Sequence, residues 1–458
     1  MRSDKGGPLA ASYALGTLVS RNVPLMKILS LLAVIFVATF VLAQNHDYPG
    51  SGGMNPTKWH EDLAILREQM PKKHGNLFHA LSREQYELAF DDFERRLPEM
   101  TDNQVKLGIM QIVALVNDGH THVRFDTLGN HMLPIRLHYF ADGLFVESTD
   151  RAHSNLLGGK VLRLGSMSVE EAYKSVRLLV SVDKNNEPRR RLLVSDLLTT
   201  PEVLNAIGAI KNSNSVEVVV EKNGRQIKAD LPSGPFGPWN NHGWPSDPQG
   251  WINARSASSS PVPLWLKHSD KNYWSEFLPD GQTLYIQFNQ VADANGGEPI
   301  AKFFPRVLKD AAEKKIGRVI LDLRLNGGGN NELNRPIWHS ILENASLNQK
   351  GKLWILIGPK TFSAAMNLVD DLELNTNALF AGEDTGESPN MWGDPVDIRL
   401  PNSGIVVGVS TLWWQFADPR DNRPYRSPDL PVALSSSDYE GNIDPVLKAV
   451  LASRSAVQ

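Results

Sequence analysis

The chain has 458 residues, 41% of them hydrophobic and 21% charged, with a formal net charge of −4. That balance describes globular protein with room for two or three cores, and excludes a disordered or fibrous chain. Acidic and basic residues are interspersed, so no basic stripe marks nucleic acid as a partner, and the absence of cysteine excludes disulfides, thiolate metal sites and a cysteine nucleophile.

In chain order, the first feature is the apolar run Ile28 to Ala43, preceded by Arg21 and Lys27 and closed by Val41-Leu42-Ala43 before Gln44. This is the outline of a secretory signal peptide over residues 1–43. The run falls short of the ~20 apolar residues that cross a bilayer, so cleavage after Ala43 is expected rather than a retained anchor. Met26 directly precedes the basic residue and the apolar run, so residues 1–25 read as an overhang from an upstream start codon. The mature chain is then expected to be exported, periplasmic or extracellular, without a stable membrane span. It has no lipobox cysteine for a lipid anchor, and its net charge would be −7.

After a Gly/Pro/Asn-rich connector come amphipathic stretches near 57–71, 82–97 and 101–117, which the spacing of apolar residues predicts as helices of a small N-terminal domain over 57–125. Ser82 with Gln85 and Thr101 with Gln104 are capping boxes for two of them. From His120 the pattern changes to strand-like runs at Leu133–Phe140 and Gly143–Ser148. Residues 150–232 resemble a PDZ module or another small α+β insert. Within it, residues 159–172 read as strand, tight turn and helix start, and Val216–Val220 with Gln226–Leu231 as a hairpin about Asn223-Gly224. Residues 232–263, dense in Gly, Pro, Ser, Asn and Trp, read as a long connector or substrate-facing loop. Beyond it strands and helices alternate: a strand at 283–289, a helix near 298–314, a strand at 318–324, a helix near 331–343, a strand at 352–357 and a helix from 363. Such alternation predicts parallel strands under covering helices, an α/β domain over 264–455 within an α+β multidomain chain.

Three segments carry candidate chemistry. The apolar strand Lys352–Ile357 passes through Gly358-Pro359 to Ser363 at the start of a helix. There a hydroxyl meets the positive end of the helix dipole, and the Ala364 amide can point at a developing oxyanion. The competing use of Ser363 is as a plain N-cap. A second strand, Val319–Arg324, runs into Asn326-Gly327-Gly328-Gly329, whose free amides suit an anion. The spacing matches neither a dinucleotide fingerprint nor a P-loop, so the turn is read as an oxyanion hole, with the Gly327 or Gly328 amide opposing Ala364. A serine hydroxyl needs a base. No lysine occurs between Lys360 and Lys448, while Asn117-Asp-Gly-His120-Thr-His122 joins a helix to a strand. His120 is the candidate base, with His122 in reserve. The same pair lies on one strand face, as some zinc sites require, but no third ligand is evident and no metal is expected.

Asn117–Thr121, Leu321–Gly329, Thr361–Ala365, Ala381–Gly386, Pro428-Asp429 and Gly441–Leu447 together resemble, in order, the tail-specific or C-terminal processing serine peptidases, and more closely their tricorn-like, histidine-using branch. The resemblance spans about residues 57–452. It implies a crotonase-like catalytic domain, a polypeptide substrate, no cofactor, Ser363 as nucleophile, His120 as base, and Ala364 with the Gly327-Gly328 turn as oxyanion hole. The processing branch carries a lysine after its Gly-Glu-x-Thr motif, whereas residues 386–394 here hold none. The tricorn-like branch adds a serine before the histidine, where this chain has Gly119, and a downstream glutamate. Asp421 is the nearest acidic candidate for that orienting role, with Glu383 behind it; the plain alternative is a surface loop aspartate. A different expectation follows from retinoid-carrying repeats of the same family fold: a non-catalytic protein binding an apolar ligand among Trp239, Trp244, Trp251, Trp413 and Trp414.

Overall fold

The computed structural model describes residues 53–235 and 247–453. The expected signal peptide at 1–43 and two of the five tryptophans, Trp239 and Trp244, lie outside the described residues. Among the described residues no helix is long and apolar enough to cross a membrane.

The N-terminal periodicity produces helices Pro56–Lys73, Arg83–Arg96 and Asp102–Ala114, and both capping boxes form. Ser82 and Thr101 each accept the amide of the residue three positions on, and each returned side-chain amide oxygen accepts the cap's own N–H. Antiparallel strands Ile135–Phe140, Gly143–Thr149, Lys160–Leu164, Ser215–Lys222 and Arg225–Pro232 then form a second layer. Asn223 and Gly224 both take positive φ, 53° and 70°, between paired Lys222 and Arg225, the two-residue turn whose twist suits adjoining strands. The N-terminal helices, this sheet, and Ile398, Val407 and Val409 from far down the chain share one continuous core.

The third layer is a six-stranded sheet in the order Tyr273–Phe277, Thr283–Phe288, Arg318–Asp322, Leu353–Ile357, Leu379–Gly382, Leu430–Pro431. All its pairings are parallel except that of the first strand, an antiparallel edge. The second to fourth strands are buried along their whole length, as expected where both sheet faces are covered. Alternate residues serve opposite faces. Ile286, Leu321 and Ile355 pack under helices Ile300–Glu313, Arg335–Glu343 and Ala364–Asn375. Tyr285, Ile320 and Trp354 pack against Val446 and Val450 of helix Pro445–Ala452.

One element has no counterpart in the sequence reading. Strands Asn390–Arg399 and Val406–Gln415 form a long antiparallel hairpin, and the short strand His122–Val123 pairs with its Val407 and Gly408. Arg124 N–H donates to the Val406 carbonyl at 2.8 Å, and the Thr121 hydroxyl accepts the Ser410 amide at 3.0 Å. These bonds fasten the histidine-bearing segment to residues almost 300 positions later.

Candidate active site

Ser363 sits between the strand Leu353–Ile357 and the helix Ala364–Asn375. Buried Thr361 fixes the turn by donating to the Leu323 carbonyl at 3.0 Å and accepting the Gly358 amide at 3.1 Å. Ser363 has φ 57° and ψ −132°, and its hydroxyl makes no capping bond. The plain N-cap reading is therefore not what this serine does. A non-glycine residue held at positive φ costs on the order of 1–3 kcal/mol, a strain that surrounding structure must impose. Here it aims the hydroxyl away from its own helix, and Ser363 Oγ lies 3.0 Å from His120 Nε2.

The other face of His120 meets a carboxylate. Glu387 Oε1 is 2.9 Å from His120 Nδ1, a close ion pair set off the N–H axis, since neither atom has a well-aligned hydrogen-bond partner. Glu387 Oε2 accepts the Ser363 backbone N–H. One fully buried carboxylate thus touches both the imidazole and the strained peptide of the serine. Burial alone would lower the His120 pKa, but the charge and contact of Glu387, with Asp118 and Asp183 behind it, outweigh burial and raise it to about 9. Asp118 supports the backbone, accepting the His120 amide at 2.8 Å while its other oxygen holds His74 Nε2 at 3.1 Å. Phe362 stacks on the imidazole with ring centres 4.5 Å apart.

The expected site residues separate in this geometry. Ser363 and His120 meet. His122, the reserve base, turns its Nδ1 to the His120 carbonyl at 3.0 Å, and burial followed by the adjacent His120 charge lowers its pKa to about 4. Asp421 does not reach His120: both its oxygens are bound to Arg423 at 2.7 to 3.0 Å, and Arg423 is bound in turn to Glu373. Glu383 lines a cavity of about 670 Å³ together with Trp265, Arg324 and Lys360. Glu387, not Asp421, is the carboxylate that stands against His120. Its signal lay in the motif itself, because it follows Gly386 in the stretch where the processing branch carries its lysine.

The amides of the glycine turn differ from one another. Gly328 N–H donates to the side-chain oxygen of buried Asn326 at 2.9 Å, so that amide is engaged. The Gly327 and Ala364 amides have no acceptor among the described residues. Gly328 has a steric role instead. At φ 105°, a Cβ there would stand 2.5 Å from Ser363 Cβ and 3.0 Å from Ala364 N. Gly328→Ala is therefore expected to displace the serine and lower any Ser363-dependent rate by about 100-fold, the scale of a 1 Å misplacement, as read from kcat of the purified variant.

Trp413 and Trp414 do not face one cleft together. Trp413 and Trp414 are adjacent on one strand and so face opposite sides. Trp413 is half exposed beside Trp392, 5.1 Å between ring centres, whereas Trp414 donates from its indole to Asp394 at 2.6 Å.

Fold and site define a class: a mixed helix-and-sheet, multidomain chain with serine, histidine and carboxylate in contact where a strand of the parallel sheet gives way to a helix. Mature CPAF, solved in complex with lactacystin, has this fold, with a TM-score of 0.61 and 14% identity over 86% of this chain and 97% of that one. A CPAF mutant aligns with a TM-score of 0.60 and 13% identity over 88% and 99% of the two chains. The likeness to the photosystem II D1 C-terminal processing protease is slighter, a TM-score of 0.40 at 13% identity over 87% of this chain and 98% of that one. No family model matches the sequence, and no curated protein matches it. The resemblance read from the ordered motifs is thus met at the level of the fold.

Proposed function

We propose that the protein is an exported serine peptidase that hydrolyses peptide bonds by acyl transfer. The observation that carries this reading is the set Ser363 Oγ, His120 and Glu387, with contacts of 3.0 and 2.9 Å, in which a histidine from early in the chain meets a serine 243 positions later beside two amides without an acceptor among the described residues. Ser363 attacks the carbonyl carbon of the substrate peptide, and His120 Nε2 takes the hydroxyl proton and delivers it to the leaving amine. Glu387 stabilises the imidazolium formed in that step and holds its ring. The tetrahedral oxyanion is received by the Ala364 and Gly327 amides. Water then repeats the sequence on the acyl-enzyme. Every group belongs to the chain, and the mechanism calls on no cofactor.

The catalytic part, 264–455, is read as crotonase-like and 150–232 as a PDZ-like insert beside the N-terminal helical domain 57–125. Export rests on the apolar run before Gln44. A fluorophosphonate probe tests the reaction class: labelling of the wild type is expected, with the adduct on Ser363 and its rate falling sharply in His120→Ala. A folded wild-type protein that takes no label and cleaves no unfolded polypeptide would overturn the peptidase reading, and saturable binding of an apolar ligand by that unlabelled protein would favour a carrier.

A further inference from the structure

His120 and Glu387 come from two segments, and a third joins them. Ser181, Val182, Asp183 and Asn186 are buried in the stretch that leads into helix Glu187–Leu197. Asp183 Oδ1 accepts the Gly119 amide at 3.0 Å, and Oδ2 accepts the Ser388 amide at 2.9 Å. Gly119 directly precedes His120, and Ser388 directly follows Glu387. Nearby, the Asn186 side-chain amide donates to the Pro424 carbonyl at 2.8 Å and the Thr385 carbonyl at 3.4 Å, anchoring the loop just before Glu387. Arg189 lays its guanidinium 4.2 Å above the centre of the Phe362 ring, whose neighbour is the His120 imidazole.

A third carboxylate so near Asp118 and Glu387 is costly to bury. Burial first, then the charges of Glu387 and Asp118, push the Asp183 pKa up to about 7. No step of the proton relay uses it. Its two oxygens are instead matched to two backbone donors, one just before His120 and one just after Glu387 in the chain.

We infer that Asp183 is a positioning residue: by holding the Gly119 and Ser388 amides on one carboxylate, it sets the spacing of His120 and Glu387 and keeps the imidazole facing Ser363. The inference rests on the serine peptidase reading for its effect on turnover, but the geometry it concerns can be measured without turnover. The charged groups facing His120 are Glu387, Asp118 and Asp183, with His122 on the adjoining strand; Arg189 is the cation facing both Glu387 and Asp183.

Asp183→Asn keeps the size of the side chain but turns an N–H₂ toward one of the two amides and removes the charge. In the full chain, kcat for an unfolded polypeptide is expected to fall by about 100-fold, as for a small misplacement of reacting groups, with KM changed by less than about twofold. The ring-nitrogen NMR titration of His120 is expected to move to lower pH. Asp183→Ser, which retains one acceptor and no charge, is expected to do the same and serves if the asparagine variant does not fold. A folded variant with unchanged kcat and unchanged His120 titration overturns the inference, as does a drop in melting temperature alone with full activity per folded molecule. Should the wild type prove inactive, the peptidase reading fails, and a crystal structure of Asp183→Asn that keeps the His120–Ser363 contact at 3.0 Å would then overturn the positioning role, whereas a lost contact would support it.

Discussion

Ser363→Ala is expected to lower kcat for peptide hydrolysis by a factor on the order of 10⁶, the loss found when a serine nucleophile is removed from a triad. The substitution deletes one oxygen. Because that oxygen makes no capping bond and its recorded partner is the imidazole, the fold loses little, and stability measured by denaturant unfolding should change by less than about 1 kcal/mol. Alanine shares the positive φ of the residue it replaces, so the backbone strain is unchanged. Turnover persisting in a cleanly purified variant would mean that another group is the nucleophile.

Glu387→Gln is expected to have the next largest effect, a fall in kcat of about 10⁴-fold by analogy with loss of the charge behind a catalytic histidine. His120 Nδ1 stands against one oxygen of this side chain and Ser363 N–H donates to the other, and an amide offers only one oxygen. The pH profile supplies the sign. In the wild type, Glu387 favours the imidazolium and the His120 pKa stands at about 9, yet the base must be neutral to accept the serine proton. The acid limb of kcat/KM should therefore lie above the ordinary histidine value of about 6.5. With glutamine the attraction is gone, so that limb should move to lower pH while the plateau drops. The same raised pKa makes a linkage prediction: the imidazolium–glutamate pair stabilises the fold fully below about pH 6.5 and ceases to as pH rises through about 9. A limb that stayed in place would exclude Glu387 as the partner of His120.

Much of the architecture was legible because it depends on near neighbours. The capping boxes at Ser82 and Thr101, the Asn223-Gly224 turn and the alternating strands and helices after residue 283 each follow from interactions within a few residues or from one period. The long hairpin at 390–415 has no such local signature, since Gly393, Pro395 and charged residues interrupt its apolar pattern. Sequence alone points to Asp421 as the nearest acidic candidate for the orienting role. Asp421 instead bonds to Arg423, two residues away, a local partner that satisfies it first.

The sequence by itself determined the chemical inventory: a serine at a helix start, a glycine turn after a strand, a histidine between a helix and a strand, and no thiol. Those features are local, and local backbone preference is enough to specify them. Only the tertiary structure decided which groups meet. Pairing of His122–Val123 with Val407-Gly408 and a shared core between the first helices and the late hairpin bring His120 to a serine 243 positions away, and the same packing sets Glu387, not Asp421, against the imidazole. A contact between residues so far apart is fixed by which surfaces are buried together, and no stretch of chain records that alone.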